Sequence, residues 1–158
     1  MLRMSKLADY GTVILTTMLQ YPDRPQSAAE IAATIRVPVT TVSKVLKIMT
    51  REGLVVSLRG ARGGYTLSRP SDQISMAQVI EAMDGPIGMT ECSITPGLCT
   101  QEKGCPVRAN WQHINRIVLQ SLQQVTLDQM IEPVPEAVDI SGLRARRPRP
   151  IRLNGEQA

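Results

Sequence analysis

Residues 27–68 constrain the fold most, because they carry signals for two short helices and a hairpin in close succession. Ser27 and Glu30 have the S-x-x-E spacing of a capping box, which predicts a short helix beginning at Ala28. A second helix is expected from Pro38, since proline is favoured at the first helical position. The sequence therefore predicts two short helices joined by a tight connection.

The second of these helices has two contrasting faces. Its predicted buried stripe is Val39, Val42, Leu46 and Met49. Its opposite face is Thr40, Thr41, Ser43, Lys44 and Lys47. Short hydroxyl side chains allow a helix to approach base edges, and lysines contact phosphates. We interpret the helix pair as a helix-turn-helix that binds double-stranded DNA; the alternative is that the polar face is only solvated.

A predicted hairpin follows the helix pair. LVVSL (54–58) and YTLS (65–68) have strand propensity, and the glycine-rich RGARGG (59–64) lies between them. A helix-turn-helix followed by such a hairpin is a winged helix. Arg59 and Arg62 lie at its tip, where an arginine can enter a narrow minor groove. The predicted fold class is mainly α with a small β-hairpin.

The charges are segregated along the chain. Residues 1–70 hold ten Lys or Arg and four Asp or Glu, whereas residues 71–140 hold three and nine. A basic first half indicates a polyanion-binding face. A single His and the lack of a nucleophile–base pattern argue against an enzyme and a small-molecule substrate.

The N-terminus lacks a signal-peptide pattern, and no apolar run is long enough to span a membrane. We therefore expect a cytoplasmic protein that does not enter membranes. Its thiols would be kept reduced.

Cys92, Cys99 and Cys105 have the spacing C-x6-C-x5-C, and Pro and Gly residues around them predict a loop. An odd number of cysteines in a reducing compartment favours metal or redox chemistry over a disulfide framework. One alternative is zinc, whose structural sites usually have four ligands at shorter spacing. A thiol redox switch is another. A small electron carrier would leave the basic half unexplained.

A long helix is expected from Val107, with Trp111, Ile114 and Val118 at helical spacing. As an arm crossing a second copy it would bury the Trp and form a two-fold homodimer suited to a palindromic operator. The alternative is packing on its own domain. Thr126 and Gln129 predict one further short helix. The Arg/Pro-rich end, residues 133–158, is expected to be disordered.

The predicted organisation has four parts. Residues 1–85 form the winged helix-turn-helix domain, and 86–106 the cysteine loop. Residues 107–132 form the dimerisation helix and a short last helix, and 133–158 the tail.

The stretches RGARGGYTLSRP, TVSKVLKIM, MDGPIGMTECS and CPVRANWQHINR resemble the Rrf-two (IscR/NsrR-like) family of bacterial iron–sulfur transcriptional regulators. Within it the closest similarity is to regulators of SUF iron–sulfur assembly, and the stretches that carry it are MLRMSKLADYG, TVSKVLKIM, MDGPIGMTECS and CPVRANWQHINR. The resemblance covers about residues 1–132. It implies a dimeric repressor whose three cysteines ligate a 2Fe–2S or 4Fe–4S cluster. It also implies that Thr40 to Lys47 enter the major groove and Arg59 the minor groove.

The fourth cluster ligand is where the sequence departs from part of that family. IscR-like members have a His three residues after the third cysteine, and here that position is Arg108. NsrR-like members use an Asp from the first helix of the partner subunit, and Asp9 matches it. The resemblance thus implies Asp9 as a ligand in trans; the alternative is a carboxylate that only favours the helix dipole. His113 is expected at the surface or the dimer interface. Nitric-oxide, thiol-redox and zinc-dependent regulation remain alternative functions.

Overall fold

The computed structural model describes residues 4–60 and 63–132, so Arg62 and the 133–158 tail lie outside the described residues. The elements in chain order are α1 (Lys6–Met18), α2 (Ala28–Ile35), α3 (Val39–Arg51), β1 (Val55–Leu58), β2 (Gly64–Leu67), α4 (Met76–Asp84), α5 (Glu91–Ile94) and α6 (Arg108–Gln124). Two 3₁₀ turns cover Ser71–Gln73 and Glu102–Gly104. The mainly helical class with a small hairpin is confirmed.

Side-chain caps define where the first helices begin. In α2 the Ser27 hydroxyl accepts from the Glu30 N–H at 3.2 Å, and the Glu30 carboxylate accepts from the Ser27 N–H at 2.7 Å. Ser75 and Gln78 form the same reciprocal box at α4. These local contacts satisfy backbone donors that lack partners in the first helical turn. The predicted start of α2 is confirmed.

The core lies where α1, α3 and α4 meet, and it is made of aliphatic and Met side chains. On α3 the buried stripe is Val42, Val45, Leu46 and Met49. The prediction of Val39 as a core residue is wrong, because Val39 occupies the exposed first turn and is 46% exposed. Gly11 allows the helices to approach closely, since a Cβ there would lie 3.1 Å from the Met49 side chain.

The wing, formed by β1, β2 and their connection, is attached to the helices at its base. β1 and β2 pair antiparallel, with Val55 opposite Leu67. Tyr65 also exchanges two backbone hydrogen bonds with Gln26, of 2.8 and 3.0 Å, just before α2. Arg69 donates to the Gly53 carbonyl and to the Gln78 side chain. The wing is thereby fixed relative to α2 and α4.

The chain after α6 returns to the core without forming the predicted helix. The Leu127 N–H donates to the Ile74 carbonyl and the Met76 N–H to the Val125 carbonyl, both at 2.8 Å. Leu127 is fully buried. The prediction of a helix at Thr126 is wrong, because the backbone there pairs with the chain before α4 and then continues as turns. Among the described residues, no helix is long and apolar enough to cross a membrane.

Candidate functional site

The predicted DNA-contacting residues of α3 share one side of the helix, away from the core. Thr40, Lys44 and Lys47 are exposed and spaced by four and three residues, so they form one stripe. Thr41 and Ser43 flank that stripe and are half-buried. A helix with this surface can present hydroxyl groups to base edges and ammonium groups to phosphates.

The wing tip adds a second basic point. Arg59 follows β1 directly and is exposed. Gly60, with φ of 111°, adopts a backbone conformation that favours glycine, and its carbonyl accepts from the Gly63 N–H at 2.9 Å. This tight turn places Arg59 at the end of a short, anchored hairpin.

Arg36 is a basic residue that the sequence reasoning missed. It ends α2 in the left-handed conformation, with φ of 56°, and it is exposed in the turn before α3. Glycine is the usual residue at such a helix end, so an arginine there is no local signal for this turn. The position adds a cation to the connection between the two helices.

The cysteine segment, residues 91–105, is more ordered than the loop expected from its Pro and Gly content. Cys92 lies in the one-turn helix α5, and a 3₁₀ turn ends just before Cys105. The Thr90 hydroxyl lies 2.8 Å from the Ser93 hydroxyl and 3.3 Å from the Cys92 sulfur, which supports the α5 turn. All three thiols are free and half-buried.

These residue types fit an iron–sulfur cluster, because Cys thiolates are its usual protein ligands. Their positions do not form a ready ligand set. Within residues 4–60 and 63–132, no group of three or more His, Cys, Asp or Glu is placed to hold a metal ion. Asp9 is exposed on α1 and His113 is exposed on α6, and neither belongs to a group of this kind among the described residues.

Glu102 is a second residue that the sequence reasoning missed. It is buried, although the segment around it is largely exposed. One of its carboxylate oxygens accepts from the Gly97 N–H, and the other pairs with the Arg108 guanidinium. A Glu between turn residues is normally solvated, so no sequence pattern marked it.

A polar stripe on α6 holds the cysteine segment. Arg108, Gln112 and Asn115 are spaced by four and three residues, so they share one face. The Gln112 amide donates to the Cys92 carbonyl at 3.4 Å. The buried Asn115 side chain accepts from the Met89 N–H at 2.9 Å. Together with the Arg108–Glu102 pair, these contacts attach both halves of the segment, and Met89 just before it, to the same helix.

The neighbouring stripe of α6 is apolar and open. Val107, Trp111 and Ile114 are each more than a third exposed. Val118 and Leu122, which continue the stripe, are half-buried. Asn115 is the only buried residue of α6, so much of the apolar side of this helix stays exposed in the single chain.

The profile described as "Rrf2: Iron-dependent Transcriptional regulator" matches residues 4–133, which is most of the chain. The chain belongs to the Rrf2 family. It is 29% identical over 139 residues to the HTH-type transcriptional regulator IscR of Sodalis glossinidius, covering 87% of this chain and 84% of that protein. This Rrf2-family chain is a DNA-binding transcriptional regulator and not an enzyme.

Solved structures agree with the fold of this Rrf2-family protein. CymR, the global cysteine regulator of B. subtilis, superposes with a TM-score of 0.64 and 28% identity, covering 82% of this chain and 96% of that one. IscR of T. potens superposes with a TM-score of 0.63 at 22% identity, covering 82% and 86% of the two chains. The winged-helix architecture is thus shared with both.

Proposed function

We propose that the protein is a homodimeric transcriptional repressor whose operator affinity depends on an iron–sulfur cluster held by Cys92, Cys99 and Cys105. The observation that carries the proposal is the attachment of the cysteine segment to α6, the helix with the open apolar stripe. A change in the segment can then alter the helix through which two copies would pair.

Operator binding is assigned to α3 and the wing. The stripe of Thr40, Lys44 and Lys47 is exposed, and the first turn of α3 has no acidic residue. Arg59 is exposed directly after β1, also in the chain's basic half. Two such units related by a two-fold axis read two halves of a palindromic site. The helix would enter the major groove, and Arg59 a narrow minor groove.

Dimer formation is assigned to the apolar stripe of α6. Trp111 and Ile114 are 38% and 39% exposed in the single chain. A tryptophan left open on an apolar helix face is typical of a surface that a partner covers, since aromatic residues are enriched in interface cores. Pairing of two α6 helices would bury both copies of this stripe.

Cluster binding is assigned to the three thiolates, with Asp9 of a second copy as the fourth ligand. Three points support this assignment. Cys thiolates are the usual protein ligands of such clusters, and the chain is 29% identical to an IscR regulator. Arg108 occupies the position where IscR-like members have a His ligand, so another residue must supply the fourth ligand. Either a 2Fe–2S or a 4Fe–4S group suits thiolate donors. When bound, it would supply an oxidant-sensitive signal. Asp9 is exposed near the start of α1, where a carboxylate is available to a neighbouring chain.

The controlled genes proposed are those of SUF iron–sulfur assembly, because the sequence stretches around Cys92 and Cys105 resemble that branch. Such a repressor would adjust the expression of the cluster-assembly genes to the supply of clusters, which is negative feedback. The proposed cluster requires reduced thiols, so we propose a cytoplasmic location, where thiols are kept reduced.

Anaerobic purification tests the cluster assignment. The wild-type protein should be coloured and carry iron and sulfide, and the colour should bleach in air. Ala substitution of Cys92, Cys99 or Cys105 should abolish it. Asp9→Asn should retain the colour but lose it faster, whereas the matched control Asp23→Asn should match the wild type. A colourless preparation with stoichiometric zinc would contradict the proposal.

A thiol redox switch is the second candidate, because the three free thiols are half-buried and are not gathered into a ligand set in the described chain. Under that alternative, anaerobic protein would contain no iron. Mild oxidation would then form a disulfide and change operator affinity.

A further inference from the structure

Glu102 occupies an unusual place within the cysteine segment, three residues after Cys99 and three before Cys105. Its side chain is only 8% exposed, and its two oxygens have separate partners in Gly97 and Arg108. A buried carboxylate is stable only when such partners replace its water. The contacts of Glu102 therefore favour the arrangement of the segment seen here.

The partners of Glu102 lie on either side of the two cysteines. Gly97 is in the turn before Cys99, and Arg108 is the first residue of α6, just after Cys105. Glu102 thus connects the turn, the 3₁₀ turn that contains it, and the dimer-facing helix. In this arrangement the described thiols do not make a ligand set.

The two side chains of the ion pair are buried to different extents. Glu102 is nearly fully enclosed, whereas the Arg108 side chain is 40% exposed. The Arg108 Nε is buried without a hydrogen-bond partner among the described residues. An unsatisfied buried donor is unfavourable, and an exposed guanidinium can turn toward water. Opening is therefore easiest from the Arg108 side.

We propose that Glu102 is a positioning residue whose pair with Arg108 holds the cysteine segment in the arrangement described above and opposes convergence of the three thiols. This inference rests on the proposed function. Ligation would favour the converged form, so any contact found only in the other form lowers the apparent affinity for iron and sulfide. Because Arg108 is the first residue of α6, breaking the pair would also change the contacts of the helix through which the proposed dimer forms.

Four variants of the full-length protein separate this role from a general effect of charge. Glu102→Gln keeps an acceptor for the Gly97 N–H but removes the ion pair. Arg108→Gln removes it from the other side, and Arg108→Lys retains a cation. Glu91→Gln is the matched control, since it makes the same charge change in the same segment at an exposed residue.

The first measurement is hydrogen exchange of residues 91–105 in the cluster-free protein. Glu102→Gln and Arg108→Gln should each exchange several-fold faster than wild type, and the double variant no faster than the more affected single one, as expected for one shared interaction. Arg108→Lys should stay closer to wild type, and Glu91→Gln should match it. Unchanged exchange in Glu102→Gln would overturn the positioning role and leave the proposed function intact.

The second measurement is anaerobic loading with ferrous iron and sulfide, followed by absorbance and by metal and sulfide analysis. Glu102→Gln should reach half-loading at several-fold lower iron and sulfide than wild type. Equal or poorer loading, together with faster exchange, would overturn the opposing role, because the pair would then prepare the segment for ligation. Wild-type protein that takes up neither iron nor sulfide would overturn the proposed function and, with it, the role in loading.

Discussion

At the scale of single residues, the same amino-acid type has different roles that depend on what surrounds it. Glu30 is exposed and caps α2, and its pKa lies below the ordinary value because it accepts hydrogen bonds from Ser27 and pairs with Arg24. Glu102 is buried and joins two turns to a helix. Only the first role can be read from spacing, since a cap involves residues three apart in the chain.

Arg59 offers the sharpest single-residue test of the DNA interface. Arg59→Ala should weaken operator binding about tenfold, or about 1.4 kcal/mol, because an exposed guanidinium at the wing tip would be lost. The salt dependence should also become shallower by about one unit of slope. Titration of labelled operator DNA at several salt concentrations measures both quantities.

Arg116→Ala is the matched control for Arg59→Ala, because it removes the same charge from an exposed position on α6, away from the wing. Its operator affinity should stay close to that of wild type. Equal losses in the two variants would mean that Arg59 contributes only through the net charge of the protein.

At the scale of elements, the helices whose boundaries depend on local signals were predictable, and those that depend on distant partners were not. Ser27 caps α2 at the expected place, and Ser5 and Ser75 cap α1 and α4 through equally local contacts. By contrast, the chain at Thr126 pairs with the segment before α4 instead of forming a helix. The periodicity of α3 indicated the buried side but could not show that its first turn extends beyond the core.

The polar and apolar stripes of α6 show the same limit in the candidate site. The apolar spacing from Val107 to Val118 was visible in the sequence. The roles of Gln112 and Asn115 were not visible, because polar residues on a helix are usually solvated. Their partners, Cys92 and Met89, also lie 20 and 26 residues earlier in the chain. The cysteines could be identified from their type and their spacing in the sequence. That spacing could not show that they do not form a ligand set in the described structure.

Ile114 tests the proposed dimer role of α6. Ile114→Glu should convert the dimer to a monomer, because two carboxylates would enter the centre of an apolar interface. The fold should be retained, since Ile114 is 39% exposed in the single chain. Sedimentation or light scattering gives the mass, and circular dichroism checks the helices.

Gln120→Glu adds the same charge on the opposite side of α6 and should remain dimeric. If Ile114→Glu also stays dimeric while its helices are intact, two copies must associate through another surface.

At the scale of the whole molecule, packed helices connect the cysteine segment to the winged-helix half. α4 packs against α1 and α3 on one side and against α6 on the other. Arg69 links the base of the wing to α4 through Gln78. A continuous set of packed elements therefore leads from the cysteine segment to the wing.

Operator binding should therefore differ between cluster-loaded and cluster-free protein. We expect the two forms to differ at least tenfold in affinity for the same palindromic site, measured anaerobically side by side at one salt concentration. A variant of all three cysteines to Ala should bind as the cluster-free form does under both conditions. Identical affinities of the two wild-type forms would show that the segment does not regulate DNA binding.

The two adjacent stripes of α6 also restrict how the length of this chain can vary. Successive residues of an α-helix are turned by about 100°, so one inserted residue after Trp111 would rotate Ile114 and Asn115 by that angle relative to the turn before them. Asn115 would lose Met89 while Ile114 left the apolar stripe. Insertions and deletions should therefore be excluded from the first two turns of α6, even where many single substitutions are accepted.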